Sequence, residues 1–337
     1  MTLAIRPLDV HDDADCARAY EIFRAATAFE RPHASTPSLA ERVAEWRHED
    51  PAERMEMAVA VQGTEIVGVG EAFFPLADNT FMVWANVGVE PHRRRQGIGG
   101  ALMAHVVERT RSEGRSSVLV EVTYPPDRHD DHPYRRFLEK HGFTLSNLEV
   151  MRRLELPVDE ALLSELESQA RARADGYVIE TYVDGVPEHR QASLCAAMNR
   201  LGVDAPTGDV DFEEETLTPE RYQHFMGLLR QQGRHRLTAI AVHEASEQVS
   251  AYTDLVLPVG SPTHAWQWGT LVHGDHRGHR LGMAVKVANL RLLQEHFPER
   301  REVFTGNADT NPWMISINER LGFRVIELCP AFQRKLG

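Results

Sequence analysis

At 337 residues the chain is long enough for two domains, and 42 % hydrophobic with 26 % charged residues is the balance of a water-soluble globular protein. A net charge of −13 argues against a nucleic-acid-binding surface and suits a cationic ligand such as an amine. Cys16, Cys195 and Cys329 are too few and too scattered for a disulfide framework or a zinc cluster, which predicts a reducing, cytoplasmic setting. The acidic start (Asp9, Asp12, Asp13) lacks the apolar core of a secretory signal, and no apolar run approaches membrane-spanning length.

In chain order, residues 4–8 read as a short edge strand and 14–29 as a helix with apolar residues at Ala17, Tyr20, Ile22 and Phe23. Ser38 caps a second helix that runs through Trp46. Residues 55–61 and 66–74 alternate and form a hairpin about Gln62-Gly63, and 81–89 is the next strand. A basic glycine stretch then leads into a helix over 101–111. Residues 117–122 are a strand, 133–141 a short helix ending at Gly142-Phe143, and 145–156 the last strands of this half. Residues 158–174, rich in Ala, Glu and Arg, predict a linker helix.

The second half repeats the order. Strand 177–183 precedes helix 187–201, an acidic loop over 203–215 and a helix from Thr218 to Gln232. Strands follow at 237–243, 249–257 and 265–272. A His- and Arg-rich glycine loop comes next, then a long helix to His296, a strand over 303–307 and a helix over 311–321 ending at Gly322-Phe323. The loop glycines Gly99 and Gly282 are 183 apart, and the helix-ending glycines Gly142 and Gly322 are 180 apart. Two near-equal offsets mean two copies of one domain. The expected boundaries are 1–156 and 177–337, joined by a linker helix over 157–176.

The two glycine loops carry the chemistry. In Val87-Gly-Val-Glu-Pro-His-Arg-Arg-Arg-Gln-Gly-Ile-Gly-Gly100 a strand ends at Pro91, and glycines let a backbone approach a ligand at a helix start. Free first-turn N–H groups, a positive dipole end and flanking arginines suit phosphate oxygens. No Gly-Lys-Ser/Thr follows, so it is not a Walker loop, and the glycine spacing is not that of a dinucleotide fold. The alternative is a tight strand-to-helix turn beside a solvated arginine run.

The order of residues resembles motif A of the GNAT N-acetyltransferase superfamily, in which Arg-x-x-Gly-x-Gly/Ala holds the pyrophosphate of acetyl-CoA. The element order of each half is also that of the GNAT fold. The resemblance covers almost the whole chain, and the C-terminal half, with His276-Arg-Gly-His-Arg-Leu-Gly282, looks like a group of actinobacterial tandem acetyltransferases. It implies an α/β fold with a mixed sheet in two tandem acyl-CoA N-acyltransferase domains. It further implies cofactor contacts from Val87, Val89, Arg94, Arg95, Gln96, Gly97, Ile98, Gly99 and Gly100 in the first copy. In the second it implies them from Leu271, Val272, Arg277, Gly278, His279, Arg280, Leu281 and Gly282, with Asn307 and Asn311 near the pantetheine. Arg280 stands where the family has a glycine, and a side chain there is expected to narrow the approach of the backbone.

In that family the fourth and fifth strands splay, the pantetheine arm lies between them, and a backbone N–H polarises the thioester. A Glu on or beside strand four often acts as base and a Tyr as acid. Base candidates in the first copy are Glu71 and Glu121, with Asn86 to orient a water; each reads equally as an ordinary strand residue. The usual Tyr position holds Leu138 and Asn318. Tyr134 is the nearby phenol of the first copy, or a helix-packing residue. Asp254 and Glu302 are the acids of the second copy. His273, His276 and His279 sit in the loop and are not read as a metal site. Trp266, Trp268 and Trp313 line a cleft or pack in the core. The implied function is transfer of an acetyl group from acetyl-CoA to a primary amine of a small molecule by direct attack, with no nucleic-acid or membrane partner, as a monomer or homodimer. The alternatives are a silent acyl-CoA-binding or scaffolding module, and one active domain beside a structural one.

Overall fold

The structure is a computed structural model that describes residues 2–48, 50–210 and 212–336; of the acidic loop expected over 203–215, Asp211 lies outside the described residues. The chain divides into two compact units. The first holds Met1–Glu149, Gly208–Asp211 and Ile326–Gly337, and the second holds Val150–Thr207 and Phe212–Val325.

The first unit begins with β1 (Leu3–Pro7), α1 (Asp13–Thr27) and α2 (Leu39–Arg47). Asp12 caps α1 by accepting from the N–H groups of Ala14 and Asp15. Ser38 and Glu41 close a capping box on α2, as Ser-x-x-Glu dictates. Next come β2 (Glu53–Gln62), β3 (Glu65–Pro75), β4 (Met82–Val89), α3 (Ile98–Ser112), β5 (Ser117–Glu121), α4 (Pro133–Lys140) and β6 (Thr144–Glu155). The second unit carries α5 (Glu160–Arg171), β7 (Tyr177–Val183), α6 (Glu188–Asn199), α7 (Leu201–Asp204) and α8 (Pro219–Gln231). It continues with β8 (His235–His243), β9 (Gln248–Leu257), β10 (His264–Val272), α9 (Leu281–His296), β11 (Glu302–Ala308) and α10 (Pro312–Leu321). The final strand, β12 (Arg324–Lys335), returns to the first unit.

Four of these elements differ from the sequence expectation. Residues 145–156 form part of one unbroken strand, β6, rather than two. The region after Gly322-Phe323 is the strand β12, which the sequence reading left unassigned. Helix α3 starts at Ile98, so Gly99 and Gly100 lie in its first turn and not in the loop. The helix expected over 187–201 stops at Asn199, and a short turn, α7, follows it.

In the first unit the sheet order is β1-β2-β3-β4-β5-β12, antiparallel except for β4·β5. The parallel pair is registered only at Met82↔Ser117, Val83↔Val118 and Trp84↔Leu119. Beyond Trp84 the two strands part, leaving the last five residues of β4 and the end of β5 on opposite sides of a fork. In the second unit β7-β8-β9-β10 are antiparallel neighbours and β10·β11 is parallel, registered from His264↔Glu302 to Gln267↔Thr305. A register shift against β9 falls between Gln267 and Thr270. There β10 turns away from β11, so a bulge opens the second fork.

Each fork rests on a buried helix face. Val106, Val107 and Met103 of α3 pack with Val83, Val118, Val120, Phe143 and Phe332. In the second unit α9 is buried on most sides, because Leu163 and Leu166 of α5 cover its outer face beside Leu290 and Leu293. Each fully buried Leu stabilises the unit by roughly 1.5–3 kcal/mol relative to exposure. The helix expected as a linker is thus part of the second unit's core.

Candidate functional site

The two glycine loops follow one backbone path. In the first, Arg95 (φ 66°) and Gly97 (φ 85°) are left-handed; in the second, Gly278 (φ 88°) and Arg280 (φ 57°) are. The same two steps carry Arg-then-Gly in one copy and Gly-then-Arg in the other. Both turns end in the N-cap of a helix, Gly97 for α3 and Arg280 for α9. Arg280 carries a side chain at the step where the first copy has Gly97. A Cβ built on Gly97 meets nothing within 4 Å, so a side chain at this step points into open space. The next glycines in the two copies are instead hemmed in by side chains. A Cβ on Gly99 touches Phe137 at 3.4 Å, and one on Gly282 meets Ile317 at 3.2 Å. They bring the first helical turn close to α4 and α10, where first-turn N–H groups of Ile98, Gly99, Leu281 and Gly282 have no intrahelical acceptor.

The arginines of the first loop divide the work. Arg93 is held by Glu65 and Glu90, and Arg18 donates to both oxygens of Glu90 at 2.8 and 3.0 Å. Arg94 turns inward. Its guanidinium lies 4.0 Å from the Phe29 ring centroid, its Nε donates to the Val89 carbonyl at 3.3 Å, and its Nη2 donates to the Tyr134 hydroxyl at 2.9 Å. Arg95 and Gln96 are exposed. Of the basic residues expected at a phosphate, Arg95 therefore stands free at the loop surface, while Arg94 braces the end of β4.

Tyr134 donates its own proton to the Ala26 carbonyl at 2.6 Å, and burial raises its pKa. A phenol with its proton committed to a carbonyl is a brace rather than a ready acid. Behind it His132 is fully buried, stacked on Tyr124 with centroids 4.5 Å apart, and held down to a pKa of about 4 by burial. Leu138, at the family's Tyr position, is in the core.

The carboxylates separate into two places. Glu71 is buried on β3, accepting from Trp46 Nε1 at 3.2 Å with Arg42 3.8 Å away, beside its cross-strand neighbour Asn86. Burial raises its carboxyl, and Arg42 and Trp46 offset part of that. Glu121 ends β5, two residues past the last β4·β5 pair and so on the wall of the fork. Its carboxylate reaches solvent, yet the protein atoms around it raise its pKa. Glu149 on β6, which sequence reasoning missed, is pushed up to about 7 by burial and by Glu121. Cys329, which accepts from the Thr123 hydroxyl at 3.4 Å, is pushed up to about 12 by burial, Glu121 and Glu149. Glu121 and Glu149 thus form an acidic pair whose charges act on each other, and the structure does not bring Glu71 into it.

The second fork is built from different groups. Asp254 sits at the place of Glu71 (offset 183) but is sealed: Arg236 donates at 3.1 and 2.6 Å and Thr238 at 2.6 Å. Glu302 is taken by Arg153 at 2.6 Å. Asn307, two residues past the last β10·β11 pair, stands where Glu121 stands in the first unit. Its Oδ1 accepts from Arg152 at 2.9 Å and from Asn318 at 3.1 Å. Asn318 in turn accepts from Lys286 Nζ at 2.9 Å. Lys286 is fully buried, and desolvation lowers its pKa to about 7. Asn311 caps α10 by accepting from the Met314 N–H at 3.2 Å. Leu271 is buried and Val272 half-buried at the end of β10. Arg277 is exposed, 4.0 Å from Asp204. His276 meets the Tyr177 hydroxyl at 2.8 Å, and His279 meets the Arg173 carbonyl at 3.0 Å. Trp266 packs on Phe304, whereas Trp268 and Trp313 are exposed.

Residues 17–143 match the model of the Acetyltransferase (GNAT) family. Among solved structures the chain is similar to a tandem GNAT protein from the clavulanic acid biosynthesis pathway. The two are 26 % identical, the match covers 100 % of this chain and 99 % of that one, and the TM-score is 0.78. A GCN5-related N-acetyltransferase from Sphaerobacter thermophilus shares the fold at 16 % identity, over 99 % of this chain and 95 % of that one, with a TM-score of 0.67. A putative acetyltransferase from Pyrococcus horikoshii shares it at 14 % identity, over 99 % and 90 %, with a TM-score of 0.57. No curated protein matches the sequence.

Proposed function

For a chain whose residues 17–143 match the GNAT family and which carries two domains of that fold in tandem, we propose an acetyl-CoA-dependent N-acetyltransferase acting on a primary amine of a small molecule. The observation that carries this reading is the fork between β4 and β5, which opens onto the helix start at Ile98 on one side and the Glu121–Glu149 pair on the other. First-turn amides and Arg95 hold the phosphates. Backbone at the end of β4, braced by Arg94 on Val89, lines the thioester. The acidic pair attracts the cationic amine and takes one proton from it, since the Glu149 carboxyl, pushed up to about 7, can hold and release a proton near neutral pH. The amine nitrogen then forms the C–N bond, the C–S bond breaks, and CoA leaves as a thiolate that takes up a proton. Direct attack in a ternary complex fits the burial of Cys16 and Cys195 and the raised pKa of Cys329, since none is a ready nucleophile.

Turnover is read as CoA thiol release with a panel of small amines. Glu121→Gln and Glu149→Gln are each expected to lower kcat/KM by about 10²-fold. The wild-type rate is expected to rise through pH 7, as the raised carboxyl loses its proton, and this limb is expected to move in either variant. Unchanged rates in both variants would remove the pair from the reaction. The sealed Asp254 favours a second reading for the other unit, in which it binds acyl-CoA without turning it over.

A further inference from the structure

Resting on the reading that the second glycine loop receives a CoA thioester, two arginines beside it have a use beyond the loop's backbone. Arg280 leaves the left-handed step of the loop and its Nη1 donates to Gln169 Oε1 at 3.2 Å. Arg320, in the last turn of α10, donates through Nη2 to the same oxygen. Gln169 Nε2 donates to Glu165 at 2.9 Å, which turns the amide so that its oxygen faces both arginines. Among the described residues neither arginine has a carboxylate partner. Two guanidinium groups therefore converge on one neutral oxygen, with the Glu165 carboxylate bonded to the far side of the amide. A phosphate monoester, with close to two negative charges and three acceptor oxygens, satisfies such a pair far better than an amide.

The position selects which phosphate. Ile317 packs against Gly282 in the first turn of α9, and Arg320 lies one turn further along α10. The pair thus stands beside the helix start rather than on its amides. With a pyrophosphate on those amides, the remaining charged group of CoA is the 3′-phosphate of its ribose. We propose that Arg280 and Arg320 clamp the 3′-phosphate of CoA in the second unit, and that Gln169 of α5 holds its place in the free protein. The first unit has Gly97 and Lys140 at the matching positions, so the clamp belongs to one copy only.

The test is backbone amide hydrogen exchange over residues 277–284, which reads the second loop alone, titrated with CoA and with 3′-dephospho-CoA. The latter keeps the pyrophosphate. In wild type the half-protection concentration is expected to be at least about tenfold lower for CoA. In Arg280→Gln/Arg320→Gln, both exposed positions, the two ligands are expected to coincide. Coincidence of the two in wild type, or an undiminished preference in the variant, overturns the clamp. Protection over 94–101 with none over 277–284 also overturns it while leaving the acetyltransferase reading in place. Protection of neither loop by CoA or acetyl-CoA removes that reading itself.

Discussion

Replacing Lys286 with Met is expected to stabilise the protein at neutral pH and to flatten its pH dependence. The ammonium is buried within α9, where it has one acceptor, Asn318 Oδ1, for three N–H donors, and the Phe323 ring 5.6 Å away. Arg152 is reached through Asn307, and among the described residues no carboxylate bonds to Lys286. Desolvation carries the amine from 10.5 to about 7. At about 1.36 kcal/mol per pH unit, the folded state loses on the order of 5 kcal/mol below pH 7 relative to an unperturbed lysine. Between pH 7 and 10.5 the unfolded chain binds the proton more tightly than the folded one, so wild-type stability rises with pH across that window. Met has nearly the same shape and no charge to desolvate, but it leaves Asn318 Oδ1 without its donor, which costs about 1–3 kcal/mol. The variant is therefore expected to be roughly 2–4 kcal/mol more stable at pH 6, with the advantage nearly gone by pH 9. Urea unfolding at both pH values, followed by tryptophan fluorescence, measures this, since Trp266, Trp268 and Trp313 all report on the second unit. Parallel stability profiles for wild type and variant would refute the reasoning.

Two further outcomes follow from the same physics. Arg236→Met strands a buried Asp254 and is expected to cost about 3–5 kcal/mol in urea unfolding, whereas Arg236→Met with Asp254→Leu should recover most of that loss; equal losses in single and double variants would mean that packing rather than charge is at stake. Gly97→Ala keeps open space around its Cβ and should lose about 1 kcal/mol to its left-handed backbone while still binding CoA, but Gly282→Val drives a branched side chain into Ile317 and should weaken CoA protection of residues 277–284 by tenfold or more. Equal effects of the two substitutions on binding would count against the distinction between them.

Much of the frame was legible from spacing. Offsets of 183 and 180 gave the two copies because strand–loop–helix geometry tolerates few insertions, and both loops take the same left-handed path. Side-chain direction was harder to read. Arg94 matches the family motif yet folds onto Phe29 and Tyr134, because a cation beside two aromatic rings and a free carbonyl has partners in the protein already. Glu149 is one acidic residue in an alternating strand, a pattern that ordinarily marks a solvent face; what singles it out is its nearness to Glu121, which lies on another strand. Nothing in the sequence marks Lys286, and it is a buried charge because its side chain runs to Asn318 of α10 and the Phe323 ring. The departure of Arg280 from the motif shows in the sequence, but its bond to Gln169 on α5 does not.

Strand β12 has one more consequence. Phe332 sits opposite Val120, and Ala331 opposite Glu121, across more than half the length of the chain. The first unit's sheet is thus completed by residues that follow the whole of the second unit. A fragment cut after residue 156 would leave β5 with a bare edge and take away one wall of the acidic pair, and contacts of such high contact order form slowly. The duplicated sequence no longer divides at its own repeat: two genes, each encoding one half, would not yield two working proteins.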